Sequence, residues 1–394
     1  MSEVAQVPQL RFPEFNGAWE GSNIENISTL IQSGLSRLLN DSDIGIPVIR
    51  SSNISDNSLN IDDIKYWHLI DPQGANTSNY LLVENDLLIN FINSMAQIGK
   101  ACLYKNLLNR KVIFTTNLMR IQFSDNTIPE FVFYFFCTEN YRRQLKAITM
   151  PAVNQASFTK KDFNKLQVHL PPKPEQEKIA AFLTTVDNKI EQLSKKQELL
   201  KEYKKGLMQQ IFSQATRFKA DDGCDFPDWE EKKLGDVSVR GTSNISANQL
   251  EDNNGDYKIY GAAGHLKNID FYTEEDCYVA IVKDGAGVGR IMLLESKTSV
   301  LGTLAIIKAK QGNDINFLYW LIQTINFRKY VVGSTIPHIY YRDYQAENLR
   351  IPSLSEQTKI ANFLSSIDNK IEQVGKQLDE SKQFKKALLQ QMFV

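Results

Sequence analysis

Cysteine is scarce in this sequence and scattered. Only Cys102, Cys137, Cys224 and Cys277 occur among 394 residues, with no Cys-x-x-Cys pair. That argues against a zinc site or a disulfide framework and fits the cytoplasm. The four histidines, His68, His169, His265 and His338, show no metal-ligand spacing, so no metal is expected. Apolar runs are short: the best, Phe131–Cys137, falls far below the roughly 18 residues of a membrane span. Residues 1–8 lack the basic-then-apolar order of a signal peptide. Charge of one sign is also missing. Lys plus Arg total 45 against 46 Asp plus Glu, a formal net charge of −1. A protein that coats DNA unaided would be strongly basic, so a nucleic-acid role must rest on local basic patches or on a partner.

Two further absences concern chemistry. No Gly-x4-Gly-Lys-Ser/Thr loop occurs, which removes ATP-driven motor chemistry, and no Asn/Asp-Pro-Pro-aromatic motif of an amino-methyltransferase occurs. Asp284–Arg290 (DGAGVGR) has the wrong glycine spacing for a phosphate cradle and leads into the strand-like run Ile291–Leu294, so it reads as a turn. Asp228 with Glu230, Glu231 and Lys232 is too compact to gather a nuclease metal and reads as the turn that opens a domain.

What the sequence does have is a repeat. Glu175–Gln192 aligns with Glu356–Gln373 at an offset of 181, with 13 of 18 positions identical, and Tyr203–Phe212 aligns with Phe384–Phe393. Earlier in each half Trp19–Ser28 resembles Trp229–Ser238, each preceded by Phe-Pro, at Phe12-Pro13 and Phe226-Pro227. Between these ends the halves diverge. The order is variable block, constant helix, variable block, constant helix.

In the constant segments apolar residues step by four and three. The first copy gives Ile179, Leu183, Val186, Ile190, Leu193, Leu200, Leu207 and Ile211. The second gives Ile360, Leu364, Ile367, Ile371, Val374, Leu378, Leu388 and Met392. This is coiled-coil spacing, and each helix would be about 55 Å long at ~1.5 Å per residue. Such a seam needs a partner. The economical one is the other copy in the same chain, packed antiparallel with a block at each end. Packing on the helix's own block, or pairing between chains, is the alternative. The variable blocks mix strand-like runs, such as Ile46–Arg50, Asp86–Ile92, Val112–Thr115, Tyr278–Val282 and Leu304–Lys308, with helical stretches at Ile128–Ala147 and Asn316–Val331. The expected architecture is therefore α+β: two globular domains separated by two long helices that form an intramolecular antiparallel coiled coil, a pseudo-two-fold repeat. The expected boundaries are 1–170, 171–213, 214–353 and 354–394.

Polar side chains able to read base edges cluster in the turns. The first block offers Arg50, Ser51, Ser52, Asn53, Asn93, Ser94, Gln97, Lys100, Asn154 and Gln155. The second offers Tyr257, Lys258, Tyr260, His265, Lys283, Asp284, Arg290, His338, Tyr340, Tyr341 and Arg342. For any one of them a solvated loop side chain or turn former is the commoner reading; only the clusters are informative.

The constant segments, Pro171–Phe212 and Pro352–Phe393, with Glu-Gln-x-Lys-Ile-Ala-x-Phe-Leu followed by Asp-Asn-Lys-Ile-Glu-Gln, resemble those of the specificity subunits of type I restriction–modification enzymes. Gly333–His338 (GSTIPH), which closes the second block, adds to the resemblance; in the first block Thr149–Ala152 stands where the Pro-His turn would be. The resemblance spans essentially the whole chain. It implies a non-catalytic subunit with two target-recognition domains, each reading half of a split site in double-stranded DNA. The coiled coil would act as ruler and dock two methyltransferase subunits that use S-adenosylmethionine. Motor-nuclease subunits that use ATP and Mg would join them. A coiled-coil adaptor without a DNA role is the competing reading.

Overall fold

The structure, a computed structural model, describes residues 7–55 and 57–394. Residues 1–6, on which most of the signal-peptide reading rests, lie outside the described part. The chain divides into two compact units: residues 1–193 with 377–394, and residues 194–376. The division falls inside the long helices, not at their ends, so each unit owns half of each helix.

The first unit is built in layers around a four-stranded antiparallel sheet, ordered Ser28–Ser33, Leu118–Phe123, Leu87–Asn90, Ala101–Leu103. Side chains alternate across a strand, and both faces here are covered. Leu87, Ile89, Met119 and Ile121 face a core formed by the helix Pro129–Phe136 and the long helices. Leu88, Cys102 and Leu118 face a second core with Ile49, Ile54 and Phe114 under a small outer sheet. The second unit repeats the plan with Ser238–Thr242, Leu304–Ala309, Tyr278–Val282 and Ile291–Leu294. Val279, Ile281 and Ile307 point to the helices, and Tyr278, Ala280 and Val282 to the outer layer. In each unit a short antiparallel pair ties the start of the block to its end: Glu20–Asn23 with Gln167–Leu170, and Glu230–Lys233 with Asn348–Ile351. Of the acidic cluster, Glu230 and Glu231 lie on the opening strand and Asp228, just before it, pairs with Arg217.

The two expected amphipathic helices are shorter than their patterns suggested. Ile128–Ala147 breaks at Thr138, whose hydroxyl accepts the Tyr141 N–H and caps a new helix, Glu139–Ile148. The segment before the break is buried on all sides. In the second unit the helix ends at Ile322, and Asn326 caps a 3-10 turn, Phe327–Tyr330.

The long helices run from Lys173 to Phe212 and from Leu354 to Gln391. Every apolar seam position named above is buried or half-buried. In the second unit Lys204 pairs with Asp368 at 2.6 Å, and a Cβ on Gly375 would touch the Gln197 amide, so the helices run antiparallel there. In the first unit Lys385 pairs with Asp187, a contact in the same register. The two packings weighed for the seam are not exclusive: each helix begins against its own block, with Ile179 and Leu183 in the first unit's core and Ile360 and Leu364 in the second's. Leu388, Met392 and Phe393 end in the first unit's core beside Trp19 and Phe131, while Ile211 and Phe212 end in the second unit's core beside Trp229 and Phe317.

The repeated motif residues have matching internal duties. Glu175, fully buried, accepts from Arg11 Nε and Nη2 at 2.7 Å, and buried Glu356 accepts from Arg217. Gln176 accepts the Ile128 N–H and donates to Pro171 O; Gln357 accepts the Asp314 N–H and donates to Pro352 O. Lys178 pairs with Glu14, and Lys359 with Asp221. Lys385 lies over the Tyr134 ring and Lys204 over the Trp320 ring. These contacts also correct the alignment of the two opening segments. Phe12 meets Phe182 edge-on, as Phe218 meets Phe363, and Leu10 N–H donates to Gln391 O as Thr216 N–H donates to Gln210 O. The mate of Arg11-Phe12 is therefore Arg217-Phe218, not Phe226-Pro227. An insertion after Phe218 hid the match.

Candidate nucleic-acid interface

In the first unit, strand Ile92–Asn93 pairs with Gln155–Ser157, which forms a hairpin with Met150–Ala152. The hairpin turns through Asn154 at φ 62°, and Val153 at its tip is 92% exposed. Asn93, Ser94, Gln97, Lys100, Asn154 and Gln155 are thus carried by one small three-stranded sheet and the turn that follows its edge strand. The turn rests on the helix Glu139–Ile148 through Gly99, which packs against Leu145. That helix exposes Arg142, Arg143 and Lys146. Arg142 pairs with Glu139 at 2.8 Å, and on a nearly neutral chain phosphate attraction rests on such local basic groups. Gly99 has φ 75°, and a Cβ there would sit 1.9 Å from a Leu145 methyl. Gly99→Ala is expected to lower stability by roughly 1–3 kcal/mol, a shift that thermal denaturation will read.

The other first-block cluster is different. Asn53 is buried, its side chain accepting the Arg50 N–H and donating to Asn60 O and Asp63 O. Arg50 pairs with Asp63 at 2.6 Å. Asn53 is therefore corrected from base reader to turn former, while the Arg50–Asp63 pair lies at the surface. Ser51 and Ser52 share their 3-10 turn, which lies on the outer layer with Ile49 and Ile54.

In the second unit Lys258 and Tyr260 reach Glu295, whose carboxyl Lys258 holds below its ordinary value. His265 bonds Asn268 on the same hairpin, Tyr257–Gly261 with Gly264–Ile269. Arg290, at the end of the Asp284–Arg290 loop, donates to Ala262 O in the turn of that hairpin. That loop is a turn between strands: Gly289 N–H bonds Val282 O and Val288 N–H bonds Gly285 O. Tyr341 is tied inward to Ser238. Lys283, His338, Tyr340 and Arg342 converge where strand Tyr278–Val282 ends. His338 Nδ1 lies 2.8 Å from Asp284 Oδ1, its ring is near-parallel to Tyr340, and Arg342 lies over Tyr340. Asp284 stands beside Lys283 among the turn residues read from the sequence, but only the fold brings it to His338.

Backbone contacts align the two units here. Phe158 N–H bonds Phe91 O as Ile339 N–H bonds Lys283 O, so the mate of His338 is Ser157. The first unit's counterpart of the Pro-His turn lies in Gln155–Ser157, not at Thr149–Ala152. No group of metal-ligand side chains occurs among the described residues, and none of their helices is long and apolar enough to cross a membrane.

One α+β plan, built twice with different loops on a pair of matched helices, defines a duplicated recognition scaffold. A family model for the type I restriction modification DNA specificity domain matches residues 17–202 and 227–381. The chain belongs to this family of type I restriction–modification specificity subunits. It is 27% identical to the putative type I restriction enzyme MjaX specificity subunit of Methanocaldococcus jannaschii, over 98% of this chain and 94% of that protein. It is 26% identical to the MjaVIII specificity subunit of the same organism, over 78% and 77%. The fold is similar to that of the type I restriction-modification S subunit from M. genitalium, with a TM-score of 0.68, 14% identity, and 98% and 99% of the two chains covered.

Proposed function

We propose that this chain reads DNA for a type I restriction–modification complex. Each domain reads one half of a split site in double-stranded DNA, the paired helices set the distance between the halves, and two methyltransferase subunits dock on the scaffold. The chain supplies recognition and no chemistry. Adenine methylation with S-adenosylmethionine falls to the methyltransferase subunits, and ATP- and Mg-dependent cleavage to motor-nuclease subunits. Linking two weak readers makes the second contact effectively intramolecular, so modest local patches suffice. The target adenine must leave the stack before its amino group is reached, so the partners close around the duplex.

The observation that carries this reading is the contrast between constant helices and divergent loops on one repeated fold. Support for a twice-used partner comes from the helix surfaces. Glu175, Gln176 and Ile179 recur because they have internal duties. Asn188, Lys189, Glu191 and Gln192 are exposed, yet recur unchanged as exposed Asn369, Lys370, Glu372 and Gln373. The test is co-expression with the methyltransferase followed by a footprint. One copy of this chain with two of the partner, protecting a split sequence, is expected. A complex that protects no sequence would favour a purely structural adaptor, and methylation by the purified chain alone would defeat the proposal.

A further inference from the structure

We infer that Arg342 reads a guanine in the half-site of the second domain, and that Asp284, His338 and Tyr340 hold it in position. The inference rests on the DNA-reading role proposed above. The cluster is built outward in layers from fixed backbone. Asp284 and His338 lie opposite each other in an isolated β-bridge. The His338 backbone also exchanges two hydrogen bonds with Val332, at 2.8 and 2.9 Å. The Asp284 carboxylate accepts from His338 Nδ1 at 2.8 Å and sets the plane of the imidazole. Tyr340 follows with its ring inclined only 19° to that plane, and the Arg342 guanidinium lies 5.1 Å above the Tyr340 ring centroid.

The outermost group is the one with free valence. The Arg342 side chain is 78% exposed, and its closest approach to a carboxylate is Nε to Asp343 at 3.5 Å. That contact engages the inner nitrogen and leaves the two terminal nitrogens to solvent. A planar fork of two donors matches the O6 and N7 acceptors on the major-groove edge of guanine. An arginine already placed over an aromatic ring loses less freedom on forming that pair.

The first domain has no such array. At the positions of Asp284, His338, Tyr340 and Arg342 it carries Ile92, Ser157, Thr159 and Lys161, on the alignment fixed by Phe158 with Ile339 and by the matching short helices Lys160–Phe163 and Tyr341–Tyr344. This arginine-over-tyrosine contact therefore belongs to one half-site only.

The experiment uses this chain assembled with its methyltransferase partner and a duplex library randomised over both half-sites, with selection repeated at two salt concentrations. The wild type is expected to select a split site with a fixed guanine in the second half. Arg342→Ala should bind that site roughly 5- to 150-fold more weakly, as loss of one bidentate base contact predicts. It should accept any base at that one position, and Tyr340→Ala should relax the same position to a smaller degree. The first half-site is the internal control for folding and should stay unchanged. Equal weakening on every sequence with a shallower salt dependence would mark a phosphate contact and overturn the inference. So would an unaltered second half-site. Failure of the wild type to select any split site would overturn the DNA-reading role itself, a separate result.

Discussion

Adding one heptad to both long helices is expected to lengthen the spacer of the recognised DNA and leave both half-site sequences unchanged. The insertions must face each other to keep the seam in register. Lys385 with Asp187, Gly375 with Gln197, and Asp368 with Lys204 share one antiparallel register. Within the second unit that register places the gap between Gln197 and Glu198 opposite the gap between Val374 and Gly375. Seven residues add about 10 Å of helix at ~1.5 Å each, so the spacer grows by at most about three base pairs at ~3.4 Å per step. The outcome is read as methylated adenines across the genome of cells carrying the variant. Modification at the old spacing should vanish. Persistence of the old spacing would mean that the helices do not set the distance, and altered half-site sequences would mean that they also shape the readers. An insertion in one helix alone should instead unfold the seam, since Leu193 and Leu378, both buried, would lose their partners.

The parts legible in the sequence were those under periodic constraint. The long helices announced themselves because an apolar seam imposes a 3.5-residue rhythm and because the chain writes it twice. Strands such as Tyr278–Val282 were legible because a sheet covered on both faces is apolar at consecutive positions. Which polar residues face a ligand was not legible. Asn53 and Asn154 are both turn asparagines, yet one is buried as the bracket of its own turn and the other caps an exposed hairpin. The difference comes from tertiary packing and leaves no mark on the residue type. Thr138 is similar: a hydroxyl inside an apolar helical pattern looks tolerable, but here it caps a new helix and ends the old one. The match of Arg11 with Arg217 escaped notice because ten residues separate Phe218 from Trp229 where six separate Phe12 from Trp19, an insertion of four.

That pairing carries the second large expected effect. Arg217→Ala is expected to destabilise the protein by roughly 3–5 kcal/mol, because it leaves a fully buried carboxylate without its cation. Glu356 accepts from both Nε and Nη2 of Arg217, and the same guanidinium holds Phe226 O and Pro227 O. Two causes are mixed in that loss: the orphaned charge and the loosened strap. Adding Glu356→Gln separates them. If the charge dominates, the double variant should recover a good part of the single variant's loss. If it is no more stable than Arg217→Ala, the packing of the strap matters more than the charge. Arg11→Ala should behave in parallel, since Glu175 is equally buried and Arg11 even less exposed than Arg217. Each pair fastens the first turn of a long helix to its own domain. Loss of either is therefore expected to melt one unit before the other, splitting a single thermal transition in two. A single transition in both variants would mean that the units unfold together despite the local damage.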